Sequence, residues 1–372
     1  MSSNENKLRL ESVAIQNYKH FPRCVYNVGS GKIFGDSGEG KTNLLSAITS
    51  CFVNAGIDGK KTSPLPDDAD AGWVKLMFTL NGEHQEIYRA WTRTATGVKS
   101  HSSMTQTIQK SLFLAIANPM YIFGLETADR HELLIDFKYF DYMGNIADEL
   151  GADKSIDVVE FFKEYPQCTS IKQLRDLIKI FKTSIKDMSA LKTTLEAQLE
   201  VLENVSNVDD LVQTLTEQLE ETNKALTKSQ RGLCATEQIT STLLKNAVDF
   251  INSKCCLTKF TEDGKITFSD KTIDRISSGE RLECGLDIAD AIASKSPLIP
   301  PTLIDNITSL GHFNVNIDLF PNLSQIISTS FAEVELCEFD GKQLHALDRS
   351  WTKVPPTMFR PEVEIQMIEI ER

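Results

Sequence analysis

Eight consecutive residues of this chain have the types and spacing of a loop that binds phosphate. They are Gly35-Asp36-Ser37-Gly38-Glu39-Gly40-Lys41-Thr42, which fits the pattern G-x-x-x-x-G-K-[ST]. Glycines in such a loop allow backbone N–H groups to curl around the phosphates of a nucleotide. Lys41 would reach the β- and γ-phosphates, and the Thr42 hydroxyl would hold Mg²⁺. The chemistry indicated is therefore the binding of ATP together with Mg²⁺.

The elements on either side of this loop distinguish it from a chance glycine-rich turn. Lys32-Ile33-Phe34 is predicted to form a strand, and Asn43–Phe52 a helix. This strand–loop–helix order is the context that the pattern requires, because the N-terminal end of the helix dipole then points at the phosphates. We therefore predict a nucleotide site over residues 35–43, with Asn43 included at the start of the helix.

The composition limits which partners the chain can bind. It has 372 residues and a formal net charge of −13 at pH 7. A strongly acidic protein is not a general binder of polyanions, so any contact with nucleic acid must come from a local basic patch. The eight cysteines are scattered without a C-x-x-C pair, which indicates neither a zinc site nor a disulfide framework. The length is enough for two or three units, or for one large head with an insertion.

Hydropathy gives an expectation for where the protein works. No apolar run approaches the ~20 residues that a membrane-spanning helix needs. The segment Met1–Lys7 is polar and lacks the apolar region of a signal peptide. We therefore expect a cytoplasmic protein without a membrane partner.

A long helical region interrupts the chain between about 155 and 253. Its apolar residues recur at steps of three and four, which is typical of a coiled coil. They are Ile171, Leu174, Ile178, Phe181, Ile185 and Met188, then Leu191, Leu195, Leu199 and Leu202, and later Leu211, Leu215, Leu219 and Leu226. The pattern breaks at 204–207 and restarts at Asp209-Asp210, which are good helix-capping residues. Two antiparallel helical arms are predicted, each about 30 residues and therefore ~45 Å long.

The first of these arms also carries a basic ridge. Its members step by three and four beside the apolar stripe: Lys172, Arg175, Lys179, Lys182 and Lys186. The flank of a coiled coil is normally charged, so a solvated surface accounts for the pattern. The functional alternative is a contact with the phosphate backbone of DNA, which would be independent of sequence and sensitive to salt.

Strand patterns flank the helical region on both sides. On the N-terminal side, strands are predicted over 8–21, 24–28, 73–80 and 86–92, whereas 97–107 is expected to be mobile. On the C-terminal side, the patterns predict a hairpin over 256–268, a helix from about 279 to 293, strands over 300–306 and 325–329, a hairpin over 333–347 and a last strand over 363–370.

Three motifs acting together resemble the ABC-type ATPases of the SMC/RecF/SbcC family. The motifs are Ile15-Gln16-Asn17-Tyr18-Lys19-His20-Phe21 before the P-loop, Ile276-Ser277-Ser278-Gly279-Glu280-Arg281 as the signature, and Leu303-Ile304-Asp305 as the Walker B strand. The resemblance covers about two-thirds of the chain, and the short helical insertion makes RecF-like proteins the nearest in size. It implies an α/β fold: a P-loop head with a mixed sheet, flanking helices and an antiparallel β lobe, interrupted by an antiparallel helical hairpin. The implied domains are 1–154 for the N-terminal lobe, 155–253 for the hairpin and 254–372 for the C-terminal lobe.

The resemblance also implies a site that two subunits complete. Each subunit's P-loop would bind ATP, and Asp305 would help Thr42 to hold Mg²⁺. The partner's signature residues Ser277, Ser278, Gly279 and Glu280 would lie against the γ-phosphate, which gives a homodimer with two ATP molecules between its heads. The alternative for the two serines is that they only cap the helix that follows.

The sequence departs from the family where hydrolysis takes place. Asn306 follows Asp305 at the position where the family usually has a glutamate base, and an amide cannot accept a proton at neutral pH. Ser330 stands where many relatives have a histidine, and the magnesium-sensing glutamine is replaced by Asn118 or is absent. The catalytic set is therefore Lys41, Asp305 and Asn306, with tight ATP binding and slow hydrolysis expected.

The implied function is ATP-dependent dimerisation of the heads on DNA in repair, recombination or replication, with a nuclease subunit as a candidate partner. In relatives, DNA lies across the heads and the base of the coils, where the basic ridge would sit. One alternative is a slowly hydrolysing, ATP-gated scaffold that recognises a protein. Another is a phage-defence ATPase that controls a separate effector. A metabolite kinase is a more distant alternative.

Overall fold

The computed structural model describes residues 6–29, 31–35, 38–61, 63–104, 109–139, 144–150, 156–202, 208–305 and 319–330, and three short strands between 336 and 353. The chain divides into two compact units, one formed by Met1–Leu133 with Ile251–Arg372 and the other by Leu134–Phe250. The domain boundaries predicted from the sequence stay predictions.

The described elements are named in chain order. The strands are β1 (Leu8–Tyr18), β2 (Phe21–Asn27), β3 (Lys32–Phe34), β4 (Ala71–Leu80), β5 (Glu83–Thr94), β6 (Gly97–Ser102), β7 (Thr258–Phe260), β8 (Ile266–Phe268), β9 (Lys271–Thr272), β10 (Thr302–Ile304), β11 (Ile326–Ser330), β12 (Leu336–Phe339), β13 (Leu344–Leu347) and β14 (Thr352–Lys353). The helices are α1 (Lys41–Val53), α2 (Lys110–Ala117), α3 (Thr127–Tyr139), α4 (Ile146–Glu149), α5 (Ile156–Glu164), α6 (Ile171–Leu202), α7 (Asp209–Asn252) and α8 (Ser278–Ala293).

An antiparallel sheet forms the β lobe of the first unit, in the order β2-β1-β4-β5-β6. Its last strand differs from the expectation of a mobile segment over 97–107, because β6 pairs with β5 from Arg89↔Ser102 to Thr94↔Gly97. The turn between them is closed by the Thr94 hydroxyl, which donates to the carbonyl of Gly97 at 2.7 Å. Gly97 has φ +125°, a conformation that favours glycine. Residues 105–108 lie outside the described part of the chain.

A parallel sheet carries the predicted site, in the order β10-β11-β3-β14. Both β10 and β3 run parallel to β11. The carboxyl ends of parallel strands meet at one edge of a sheet. The loop after β3 and Asp305 after β10 therefore lie at the same edge, with the end of β11 between them.

One hydrophobic core joins the two sheets through α1. The α1 residues Leu44, Leu45 and Ile48 are at most 1% exposed and belong to the same cluster as Val74 of β4 and Ile327 of β11. The sheets are also tied by a buried amide, since the Gln325 side chain accepts from the N–H of Leu10 at 2.8 Å and donates to its carbonyl at 3.1 Å. This packing fixes the position of α1, whose N-terminal end follows the loop after β3.

The second unit contains the two long helices, and their pairing is antiparallel. Ser184 of α6 is hydrogen-bonded to Ser229 of α7 at 2.9 Å, and the ring of Phe181 packs on Gly232. Moving three residues back along α6 thus moves three residues forward along α7. The helices are 32 and 44 residues long. Residues 203–207, which include the predicted break, lie outside the described part of the chain.

These sheets and helices confirm the predicted fold class. The predicted C-terminal hairpin is present as β12 and β13, which pair antiparallel. The strand predicted over 363–370 lies outside the described residues. Among the described helices, none has the length and apolar character needed to cross a membrane.

Candidate nucleotide-binding site

The P-loop links the end of β3 to the start of α1. Gly35 is held at the sheet edge because its N–H donates to the carbonyl of Ser330 on β11 at 3.2 Å. Gly38 and Gly40 have φ values of +87° and +92°, in the left-handed region that side chains disfavour. Asp36 and Ser37 lie outside the described residues. Backbone conformation therefore favours glycine at both Gly38 and Gly40.

The N-terminal end of α1 has an unusual cap. Its N-cap residue is Gly40, and among the described residues no side chain caps the first turn and no acid lies within it. The first turn of a helix leaves backbone N–H groups without partners inside the helix. Such an end, beside a lysine, is suited to receive an anion.

Lys41 lies within the loop itself. Its side chain is only 7% exposed, and its Nζ donates to the carbonyl of Gly35 at 2.6 Å. The ammonium therefore folds back across the loop, on the side where phosphates would be held.

Asp305 and Thr42 meet at the sheet edge. The Thr42 hydroxyl donates to Oδ2 of Asp305 at 2.5 Å. The other oxygen, Oδ1, accepts from the hydroxyl of Thr329 at 2.8 Å. Thr329 did not emerge from the sequence as a site residue. Asn306 lies outside the described residues.

The turn between β1 and β2 contributes two further residues beside the loop, Lys19 and His20. Asn43 binds both, because its Oδ1 accepts from Lys19 Nζ at 2.9 Å and its Nδ2 lies 2.9 Å from His20 Nδ1. A Cβ placed on Gly40 would overlap the His20 ring. Burial lowers the pKa of Lys19, an effect that the charge of Asp58 opposes. In the sequence, Lys19 and His20 stood out only as part of the motif before the P-loop that resembles the family, and neither was assigned a role.

The signature segment begins α8 and is capped by its own side chains. The Ser277 hydroxyl accepts from the N–H of Glu280 at 3.2 Å, and Glu280 Oε2 accepts from the N–H of Ser277 at 2.8 Å. Glu280 Oε1 also accepts from Lys271 Nζ at 2.8 Å. Hydrogen bonds from Lys271 and then from Ser277 lower the pKa of Glu280 to about 2. Ser277 and Glu280 thus have structural roles, while Ser278 and Gly279 occupy the first turn.

The structure also describes Asn118 and Ser330, two positions at which the sequence departs from the family it resembles. The Asn118 amide donates to the carbonyl of Ile57 at 2.9 Å, and its oxygen accepts from the N–H of Met120 at 3.0 Å. Both ends of this side chain are thus used in the turn after α2. Ser330 is fully buried at the end of β11.

The basic ridge on α6 is not uniform. Arg175 donates to Asp136 at 2.8 Å, and the Asp136 side chain is only 10% exposed, so this pair is part of the packing of the second unit. Lys172, Lys182 and Lys186 are exposed, and exposed Lys179 lies 3.9 Å from Asp176. The surface available to a ligand is therefore the four lysines.

Comparisons with known proteins place the chain in a family. A sequence model of the AAA domain matches residues 12–229, more than half of the chain. A search of curated proteins gave no significant match.

Several solved structures are distantly similar to this chain. An Smc head domain with an extended coiled coil, bound to the C-terminal domain of ScpA and derived from Pyrococcus furiosus, is 15% identical with a TM-score of 0.40, covering 87% of this chain and 90% of that one. The recombination mediator protein RecF bound to ATP is 10% identical with a TM-score of 0.42, covering 88% and 92%. The SMC head domain from Thermotoga maritima is 14% identical with a TM-score of 0.31, covering 87% and 89%. With its P-loop at the edge of a parallel sheet and the match over residues 12–229, this chain belongs to the AAA domain family of ATPases.

Proposed function

We propose that this protein is an ABC-type ATPase whose heads dimerise around ATP and that acts on DNA in repair, recombination or replication, with a nuclease as a candidate partner. The observation that carries the nucleotide site is the cluster of Lys41, Thr42 and Asp305 at one sheet edge. Thr42 and Asp305 are 263 positions apart in the chain, yet they share a hydrogen bond.

The residues present fit ATP and Mg²⁺. The two left-handed glycines and the uncapped first turn of α1 form a cradle of backbone donors, and the buried Lys41 ammonium adds positive charge. Oxygen atoms are the ligands that Mg²⁺ prefers, and Thr42 and Asp305 offer two of them side by side. When bound, the ion would neutralise charge on the phosphates. Thr42 and Asp305 would hold it, and Lys41 would exchange the Gly35 carbonyl for a phosphate oxygen.

Slow hydrolysis is part of the proposal. Asn306 stands in the sequence where the family usually has its general base, and an amide can orient water without accepting the proton. ATP would then serve mainly as a ligand that favours the dimer over the monomer.

The cap of α8 supports a specific role for the signature. Because Ser277 and Glu280 bind each other, the donors left at this end are the Ser278 hydroxyl and the N–H groups of Ser278 and Gly279. We infer that these donors complete the nucleotide site of the partner subunit, and that Ser277 and Glu280 hold the helix end in place for them.

Light scattering after size exclusion, with and without ATP, tests the dimer. The wild-type chain should double its mass with ATP, and Lys41→Ala should stay monomeric. Lys61→Ala, an exposed lysine in the loop after α1, is the matched control and should behave as wild type. Dimerisation of Lys41→Ala at the same ATP concentration would rule out the assigned nucleotide site.

DNA binding through the basic ridge is tested by its dependence on salt. Binding of a fluorescent duplex should weaken as salt rises. The triple variant Lys179→Gln, Lys182→Gln and Lys186→Gln should reduce the salt slope by about one for each DNA phosphate that a lysine no longer neutralises. Lys245→Gln on α7, also exposed, is the control. Arg175 is left unchanged because its pair with Asp136 is structural.

The second candidate function is a slowly hydrolysing, ATP-gated scaffold that recognises a protein. The net charge of −13 and the presence of Asn306 favour it. DNA binding that does not change with salt, or the absence of DNA binding in the presence of ATP, would support the scaffold function. A separate effector protein that co-purifies with the chain would support the phage-defence alternative.

A further inference from the structure

The strand β11 carries three consecutive polar residues in the middle of the parallel sheet. Ser328 is 7% exposed, and Thr329 and Ser330 are fully buried. Buried hydroxyls are almost always hydrogen-bonded, since a buried hydroxyl without a partner destabilises the folded state. Successive side chains of a strand point to opposite faces, so Thr329 faces away from its two serine neighbours. Its hydroxyl is the one that reaches Asp305.

The register of the sheet explains why these two residues meet. Ile304 of β10 pairs with Ser328 of β11 in parallel. The residues that follow this pair are Asp305, just past the end of β10, and Thr329 within β11, and they therefore lie side by side at the carboxyl edge. The carboxylate stands just past the end of its strand, where it is exposed, whereas Thr329 is buried within its own strand.

Each carboxylate oxygen of Asp305 has a different threonine partner. Oδ2 accepts from Thr42 at 2.5 Å, and Oδ1 accepts from Thr329 at 2.8 Å. The terminal torsion of an aspartate is broad and can rotate easily. A hydrogen bond from a buried hydroxyl to one oxygen removes that freedom and fixes where the other oxygen points.

We propose that Thr329 is a positioning residue that holds the Asp305 carboxylate so that its second oxygen faces Thr42 and the Mg²⁺ of the bound nucleotide. This inference rests on the proposed nucleotide function. The bond from Thr329 does not use the oxygen that faces Thr42, so it is compatible with a metal at that oxygen. Thr329 thereby lowers the ordering cost of forming the metal site, as a preorganised supporting group does.

The test measures how Mg²⁺ changes the affinity of the full chain for a fluorescent ATP analogue. Thr329→Val keeps the shape and removes the hydroxyl, while Thr329→Ser keeps the hydroxyl. The matched control is Thr302→Val, because Thr302 is also fully buried, lies on the adjacent strand β10, and donates to the carbonyl of Ile116 at 3.1 Å.

Without Mg²⁺, in EDTA, all variants should bind the analogue as the wild type does. The Mg²⁺ concentration that gives half of the maximal increase in analogue affinity should rise about 10- to 100-fold in Thr329→Val, the usual cost of removing a group that supports a metal ligand. It should change by less than about twofold in Thr329→Ser and Thr302→Val. The inference would be overturned if this Mg²⁺ concentration were unchanged in Thr329→Val, or if it rose by the same factor in Thr302→Val.

A second measurement does not depend on nucleotide. In the metal-free protein, the drop in thermal midpoint caused by Thr329→Val should largely disappear when Asp305 is already Ala, because contacting residues are non-additive. Fully additive effects would overturn the inference. If Thr329→Val does not fold, Thr329→Ala serves in both measurements.

The outcomes separate this inference from the function on which it rests. If the wild type fails to bind the analogue at any Mg²⁺ concentration, the nucleotide function fails and the inference fails with it. If the wild type binds with Mg²⁺ enhancement and Thr329→Val matches it, only the role of Thr329 is wrong.

Discussion

Two helices of the first unit begin with opposite chemistry. α1 starts after a left-handed glycine, and no described side chain caps it. α8 starts after Ser277, which forms a reciprocal capping box with Glu280. The four N–H groups at the start of any helix need partners. α8 satisfies part of that need within its own chain, whereas α1 is suited to satisfy it with a ligand.

This difference shows that two glycine-containing motifs of similar appearance need not act in the same way. At α1, Lys41 donates to the Gly35 carbonyl and Thr42 to Asp305, and in the proposed function both would turn to the ligand. At α8, Ser277 and Glu280 bind each other in the capping box, so Ser278 and Gly279 are the residues that we propose for contact with the partner's nucleotide. The following variants test this difference between the two helix ends.

The largest effect is expected from a methyl group in the P-loop. Gly40→Ala combines a left-handed φ of +92° with overlap on the rings of His20 and Phe21, and it should lower the free energy of unfolding by about 3 kcal/mol. Gly38→Ala has a φ of +87° but nothing within 4 Å of the new Cβ, so it should lose only about 1 kcal/mol. Urea unfolding of both variants measures the difference. Equal losses would mean that the packing of His20 on the loop is unimportant.

The next effect is on nucleotide affinity. Lys41→Ala should weaken ATP binding about 10- to 100-fold, because it removes a charge-assisted hydrogen bond to phosphate. Lys271→Ala is the counterpart at α8, since that lysine binds Glu280, and it should change affinity by less than about twofold when the chain is dilute. A titration with a fluorescent ATP analogue compares them. Similar losses in the two variants would contradict the contrast between the helix ends.

A smaller effect is expected from the cap of α8. Ser277→Ala should cost about 1 kcal/mol of unfolding free energy, the usual value for loss of an N-cap. Ser277→Thr retains the hydroxyl and should cost less than half as much. Urea unfolding measures both, and the ATP affinity of the dilute chain should not change in either. A large loss of ATP affinity in Ser277→Ala would mean that Ser277 itself contacts nucleotide.

The smallest effect depends on pH. The folded pKa of Glu280 is about 2, lowered from 4.5 by Lys271 and Ser277, so the ionised form stabilises the folded chain. That stabilisation is present above about pH 4.5 and is lost as the pH falls toward 2. The wild type should therefore be more stable than Glu280→Gln at pH 6, and the gap should close between pH 4.5 and 2. Urea unfolding at several pH values measures it, and a gap that does not vary with pH would show that the charge is unimportant.

Much of the site was predictable because its residues belong to contiguous motifs. The P-loop and Asp305 are each recognisable within a few positions, and the alternation and heptad patterns indicated most of the strands and the helical pair. β6 was missed because its polar residues, among them Ser100, His101 and Ser102, gave no alternating pattern. Its pairing with β5 depends instead on the turn at Gly97.

Other site residues could not be read from the sequence, because they act through register and turn geometry. Thr329 reaches Asp305 only because β10 and β11 pair in parallel with Ile304 opposite Ser328. His20 reaches Gly40 only because a two-residue turn between β1 and β2 directs it there. Neither interaction leaves a pattern along the chain.

From the sequence alone the kind of chemistry could be proposed, since the spacing of the glycines, Lys41 and Thr42, together with Asp305, is suited to a phosphate group and Mg²⁺. The sequence also determined the helical pair, since the heptad spacing commits those residues to a shared apolar seam. Which polar groups already have a hydrogen-bond partner within the chain could be learned only from the folded structure. Only the folded chain shows that Ser277 and Glu280 are hydrogen-bonded to each other, and that Oδ1 of Asp305 accepts from Thr329 while Oδ2 accepts from Thr42. The physical reason is that a hydrogen bond between distant residues depends on the register and packing of whole elements, which no local residue preference specifies.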